Sequence, residues 1–453
     1  GLVFFRGEYH LFCQWNPFST EDKNKGWVEF RTRDFVYWTD PRLVLWPTGD
    51  DDRDGCGSGS AFINGGRLRV FYTGRREEDG KRANRQILGT LTKDGVIQKD
   101  MVLIREQPDG YTDLFQGPHF FVRSSHAYAL LGAQAAPADD ARGCLLLYRE
   151  EKGHFRFAGE LKTQLGFFGK VWECPALLSF GKHDVLFFSP RGLEGREFDW
   201  QNLFQSGYVT GHLSLSGREM LHGKFHELDR GFDFFAPHVG AHEGRALLFG
   251  WMSMPHNDKD YPTGEHGWMH TLTMPRVLSL KQGKIHAKPA PELKALRIGR
   301  SARELSGRAV PSLKTELAYC TEILMNIVLG VAQRLKIELR YGKERVRISY
   351  NREQDTVEIS REGMKLGGRG VRTFKLYTYH SLAMNIFIDK TAIEIFFQNG
   401  EEVASFLVFP EEDVPPVFVL EADAPMEKVM GTIWELDRLR YGELKPQKRK
   451  YVL

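Results

Sequence analysis

The residue best placed to do chemistry is Glu173, in the run Val171-Trp172-Glu173-Cys174-Pro175. It stands between two largely apolar runs, Leu165 to Val171 and Ala176 to Phe180. Burial among apolar neighbours disfavours the charged form of a carboxyl, so such an acid tends to keep its proton at neutral pH. That is what a proton donor needs. The competing reading is an acid at a strand end that faces water. Cys174 reads as a small buried neighbour, because a nucleophilic thiolate needs a positive charge nearby and the motif offers none.

Such a side chain has to be held in place, and the chain repeats around it. Leu2 to Phe5 and Tyr9 to Gln14 flank the turn Arg6-Gly7-Glu8. The same unit returns at Asn64-Gly65-Gly66, at Arg123-Ser124-Ser125, at Gly181-Lys182-His183 and at His242-Glu243-Gly244, each between β-rich runs. Gly-rich turns in that setting predict hairpins. The turns recur at spacings of 58 to 61 residues. Sandwich strands follow every ~8–12 residues with no longer period, so this spacing predicts the blades of a propeller. In a propeller, the strand that opens each hairpin lines the central funnel. The residues just before the hairpins should then converge: Gly57-Ser58-Gly59, Gln116-Gly117-Pro118, Glu173-Cys174 and Phe235-Ala236-Pro237.

The pattern changes at Pro289-Ala290-Pro291. Glu292 to Arg297 reads as a short helix or a linker. Beyond it apolar residues alternate, as in Leu335, Ile337, Leu339 and in Val346, Ile348, Tyr350, which predicts an antiparallel sandwich with one polar face. The expectation is an all-β chain, a five-bladed β-propeller over residues 1–291 and a β-sandwich over 292–453. The basic tail Lys445 to Lys450 reads as a solvated end.

Bulk properties exclude several classes. A net charge of +3 leaves no footprint for nucleic acid or an anionic membrane surface. No apolar run approaches a membrane span. The cysteines are five, widely spaced and without a C-x-x-C pair, which argues against zinc and disulfide frameworks and favours a reducing cytoplasm.

The residues together resemble glycoside hydrolase family 32, the β-fructofuranosidases, invertases and sucrose-6-phosphate hydrolases. The resemblance is carried by Tyr9-His10-Leu11-Phe12-Cys13-Gln14-Trp15-Asn16-Pro17, Ser58-Gly59-Ser60-Ala61, Trp172-Glu173-Cys174-Pro175, Phe232-Asp233-Phe234-Phe235-Ala236-Pro237, Gly250-Trp251-Met252 and, in the second unit, Ile393-Glu394-Ile395-Phe396. It implies a five-bladed propeller with a C-terminal sandwich and a retaining mechanism with two carboxylates about 5–5.5 Å apart. It implies that Glu173 is the acid/base. Gln14, Trp27, Gly57, Ser58, Gln116, Gly117, Phe235 and Trp251 would line the substrate pocket, although Trp27, Phe235 and Trp251 are also readable as core aromatics. Substrates would be sucrose, sucrose 6-phosphate or fructans, with neither metal nor organic cofactor needed.

This sequence departs from the family pattern. The family's nucleophile is the Asp of an Asn-Asp-Pro-Asn-Gly motif whose last residue corresponds to Gly1, so the sequence reads as truncated there. The family's Arg-Asp-Pro stands here as Gln116-Gly117-Pro118, an aromatic is replaced by Gly57, and the acid that usually follows Glu-Cys-Pro is Ala176. Loss of a charged transition-state contact costs on the order of 10²–10³ in rate. The expectation is therefore an impaired hydrolase, with a non-catalytic carbohydrate-binding protein as the alternative.

Overall fold

The computed structural model describes residues 1–137, 141–255, 261–378 and 380–444. The basic tail lies outside the described residues. Each of the five turns closes an antiparallel hairpin: Leu2–Phe5 with Glu8–Trp15, Gly55–Asn64 with Arg67–Arg75, Tyr111–Arg123 with His126–Ala135, Val171–Phe180 with His183–Arg191, and Phe235–His242 with Arg245–Met252. Further strands on the outer side complete five separate sheets. The opening strands pack on one another in a closed ring. These are the blades of a propeller around a central funnel.

The second strand of a hairpin is covered on both faces by neighbouring blades. It therefore reads as a continuous apolar run rather than an alternating one. Val185-Leu186-Phe187-Phe188 and Leu247-Leu248-Phe249 are all essentially buried. Full burial of each such side chain contributes about 1.5–3 kcal/mol.

The opening strands share a local irregularity. Register slips occur between Cys56 and Gly59, Gln116 and His119, Glu173 and Ala176, and Phe235 and His238. In the last three, a residue in the left-handed region precedes a proline: Gly117 (φ 69°), Cys174 (φ 50°) and Ala236 (φ 46°). Proline has no N–H for the ladder, so the strand bulges there and re-aims its side chains.

Pro291–Leu296 and Gly299–Ser301 are short 3-10 turns. The strands beyond form one ten-stranded antiparallel sheet. Its 19-residue strand Val417–Glu435 pairs first with Arg334–Tyr341 and then with Thr321–Val328. The sheet thus folds over one core that holds Ile323, Ile337, Ile348, Ile386 and Phe418. Arg440–Tyr441 then returns to pair with Tyr37–Trp38 of the first blade.

Buried charges join the two units. Arg276 of the fifth blade reaches Glu394 of the folded sheet at 2.8 Å and Asp229 at 3.0 Å. Asp233 accepts from Arg361 at 2.5 Å and from the Leu407 amide at 2.9 Å. Two residues after Asp233 comes Phe235, so the joint also anchors a segment that enters the funnel. No helix among the described residues is long and apolar enough to cross a membrane.

Candidate active site

The bulges deliver side chains from different blades to one place. Gln14 is the last residue but one of the second strand of the first blade, and its Nε2 donates to Ser58 Oγ of the second blade at 2.9 Å. Ser58 and Cys174 of the fourth blade line the same axial cavity. Gly117 of the third blade donates its N–H to Thr73 Oγ1 at 2.9 Å. Gln116 Nε2 donates to Glu173 Oε1 at 2.7 Å. Residues before three of the hairpins, those of the second, third and fourth blades, are therefore brought to one place, as the repeat predicts, and Gln14 joins them from the far end of the first hairpin.

Glu173 is 7% exposed, but its surroundings are not the apolar ones that its sequence neighbours suggest. Arg191 Nη1 lies 3.0 Å from the same Oε1. Both donors converge on that oxygen. Oε2 accepts no hydrogen bond among the described residues and is not sealed from solvent. The carboxyl is thus clamped on one side and open on the other, as a group that exchanges a proton with a ligand must be.

Arg191 was not a sequence candidate. Its signal was a cation in Pro190-Arg191-Gly192, at the end of the strand paired with the Glu173 strand. Its guanidinium lies 4.1 Å over the Phe204 ring. Phe204 packs on Phe235 at 5.6 Å, and Phe235 on Trp251 at 6.5 Å. Trp251 is half-buried and Phe235 is buried, so an aromatic wall runs from Arg191 into the fifth blade.

Trp27 is 2% exposed, and its indole N–H donates to the Gly57 carbonyl at 2.9 Å. Its contact with the opening strands is made through Gly57. Thr73 O and Arg75 Nε would lie 3.1 and 3.3 Å from a Cβ at Gly57, so Arg75 occupies the space a side chain there would take. Burial, with the Glu173 charge, pushes the Cys174 thiol up to about 12, so it remains a thiol.

Below these residues the axis encloses a cavity of about 30 Å³, lined by Gly1, Ser58, Gly117, His119, Cys174 and His238 among others. Burial lowers His119 to about 4, and its Nε2 accepts the Leu177 N–H at 3.1 Å. His238 is also held well below the ordinary imidazole range by burial. Neither is a cation at neutral pH. Among the described residues no group of three or more His, Cys, Asp or Glu side chains could hold a metal ion.

Residues 1–289 match the N-terminal domain of glycosyl hydrolases family 32, and residues 292–423 match the C-terminal domain of the same family. The chain belongs to glycosyl hydrolase family 32. A sucrose-6-phosphate hydrolase of Bacillus subtilis is 36% identical over 426 residues, which span 90% of this chain and 85% of that one. Among solved structures, a sucrose-6-phosphate hydrolase of Lactobacillus gasseri superposes with a TM-score of 0.86 at 27% identity, covering 97% of this chain and 90% of that one. A Bombyx mori family 32 β-fructofuranosidase variant in complex with sucrose gives 0.81 at 25% identity, again with 97% and 90% coverage.

Within this family 32 chain, the place where the motif carries a carboxylate is an open one. A Cβ on Gly117 would meet Cys174 N at 3.6 Å and Cys174 Cα at 3.7 Å, ordinary contacts beside Glu173. Position 117 thus faces the neighbourhood of the acid, and no carboxylate stands there.

Proposed function

We infer that this chain hydrolyses terminal β-D-fructofuranosides, sucrose or sucrose 6-phosphate, by a retaining mechanism, at a rate held down by the missing carboxylate at Gly117. The observation that carries this reading is Glu173, fixed through Oε1 and open at Oε2 where four blades meet. In the first half-reaction Glu173 donates its proton to the glycosidic oxygen as the bond to the fructosyl anomeric carbon breaks. In the second it takes a proton from the attacking water. Gln14 and Ser58 would hold sugar hydroxyls, Gly57 and Gln116 line the same pocket, and Phe235 and Trp251 would wall it. Trp27 would support it through Gly57. The carboxylate that would bond the fructosyl carbon in the first half-reaction, and release it to water in the second, is by resemblance the Asp of the family's Asn-Asp-Pro-Asn-Gly motif, whose last residue corresponds to Gly1. Relatives named for sucrose 6-phosphate or fructofuranoside hydrolysis support the substrate class, and a cytoplasmic setting suits the unpaired, scattered cysteines.

A second reading, a carbohydrate-binding protein without turnover, is favoured by Gly117, because that departure lies inside the chain. One experiment separates the two. The protein is expressed from its complete coding sequence, and release of fructose from sucrose and from sucrose 6-phosphate is followed beside calorimetry with both sugars. Release that Glu173→Gln abolishes supports the hydrolase. Millimolar-range binding without release supports the second reading. Neither release nor binding rejects both.

A further inference from the structure

The clamp on Glu173 has two halves of different chemistry. Gln116 offers an amide, which can present its nitrogen or its oxygen to a carboxyl. By itself it leaves open which carboxyl oxygen bears the proton. Arg191 has only donors, so an oxygen facing it has to accept. With the amide at 2.7 Å and the guanidinium at 3.0 Å on Oε1, the proton of the acid form resides on Oε2, the oxygen without a partner among the described residues.

Arg191 is itself held. Its guanidinium stacks on Phe204 at 4.1 Å, its carbonyl accepts the Lys170 N–H at 2.8 Å, and its backbone bridges to Phe204. Its side chain is 34% exposed, while the carboxyl it faces is 9% exposed. The guanidinium is therefore fixed in direction toward a buried carboxyl.

We propose that Arg191 is a positioning residue that directs the proton of Glu173 to Oε2, toward the leaving oxygen of the substrate. This rests on the reading of Glu173 as the acid. The test compares the parent with Arg191→Met and Arg191→Lys on two substrates, sucrose and β-D-fructofuranosyl fluoride. Sucrose departs as an alcohol and needs the proton; fluoride departs with little help.

The expected result for Arg191→Met is a kcat on sucrose lower by about 10²-fold, with KM and the fluoride rate each changed by less than about three-fold. Arg191→Lys, which also only donates, should restore about ten-fold of the loss. A crystal structure of Arg191→Met should show the Glu173 carboxyl displaced from Gln116 or in two positions. A parallel fall on both substrates, a rise in KM alone, or an undisturbed Glu173 in the variant crystal overturns the proposal. If the parent hydrolyses neither substrate, the fructosidase reading fails instead, and the crystal structure still decides the positioning.

Discussion

Replacing Gly117 by aspartate puts a carboxylate back beside the acid, and the structure allows both cost and gain to be worked out. The new Cβ would sit 3.6 to 3.9 Å from Cys174 and Pro175 atoms, so no neighbour has to move. The backbone at φ 69° is left-handed, which costs a non-glycine residue about 1–2 kcal/mol. Aspartate tolerates that region better than most side chains. Against a typical total stability of about 5–15 kcal/mol, the variant folds. The gain in kcat/KM on sucrose should be that of one preorganised transition-state contact, about 10²-fold or more. Gly117→Asn carries the same strain and no charge, so it should show almost none of the gain. The motif alone would also recommend Gln116→Arg. The structure argues against that, because Arg191 already occupies the cationic place on Glu173 Oε1 and a second guanidinium would be repelled. Initial rates of fructose release, on protein from the complete coding sequence, decide the matter. A parent within about three-fold of Gly117→Asp would refute the role assigned to position 117.

Glu173→Gln should lower kcat on sucrose by about 10²–10⁴-fold while the melting temperature holds within a few degrees; an unchanged rate would remove Glu173 as the acid. Arg276→Met should lower unfolding stability by about 3–5 kcal/mol in urea, because Asp229 and Glu394 would lose the cation between them; a loss below about 1 kcal/mol would mean the joint does not depend on it. Asp184 gives a pH dependence. Burial pushes its carboxyl up, but hydrogen bonds from Arg123, the Leu213 amide and Ser179 outweigh that and hold it below its ordinary 3.8. A folded value below the unfolded one means stability that is present above about pH 4 and lost as the pH falls through the folded value. The melting-temperature gap between parent and Asp184→Asn should therefore shrink from about pH 6 to about pH 3, and a constant gap would count against this pairing.

The blades were legible because each hairpin carries its own turn, and a turn fixes where two strands face each other. The long strand Val417–Glu435 was not. Pro425 sits in its middle and the alternation breaks around it, since the strand serves Arg334–Tyr341 before the break and Thr321–Val328 after it. The buried charges at the joint were equally hidden. Glu394 stands in an apolar run and meets Arg276 from 118 positions away, a pairing that no local spacing announces.

The site divides along the same line. Ser58, Gln116 and Glu173 stand before their hairpins on the opening strands, so the period brings them together, whereas Gln14 lies on a second strand and is marked only by the family motif. Arg191 depends on a slip of one residue. From the turn as far as Ala176, the fourth-blade hairpin pairs Phe180 with His183 and Ala176 with Phe187. Continued unchanged, that register would set Arg191 opposite Trp172, on the face away from Glu173, since a shift of one residue exchanges the faces of a strand. The bulge at Cys174-Pro175 moves the register, and Arg191 pairs with Val171 instead. Val171 and Glu173 share a face, so the guanidinium becomes the diagonal neighbour of the acid and reaches it at 3.0 Å. The Cys-Pro that follows the acid is thus more than a marker of its position. It places a residue in the left-handed region before a residue without an N–H, breaks the ladder there, and so determines which cation the carboxyl meets.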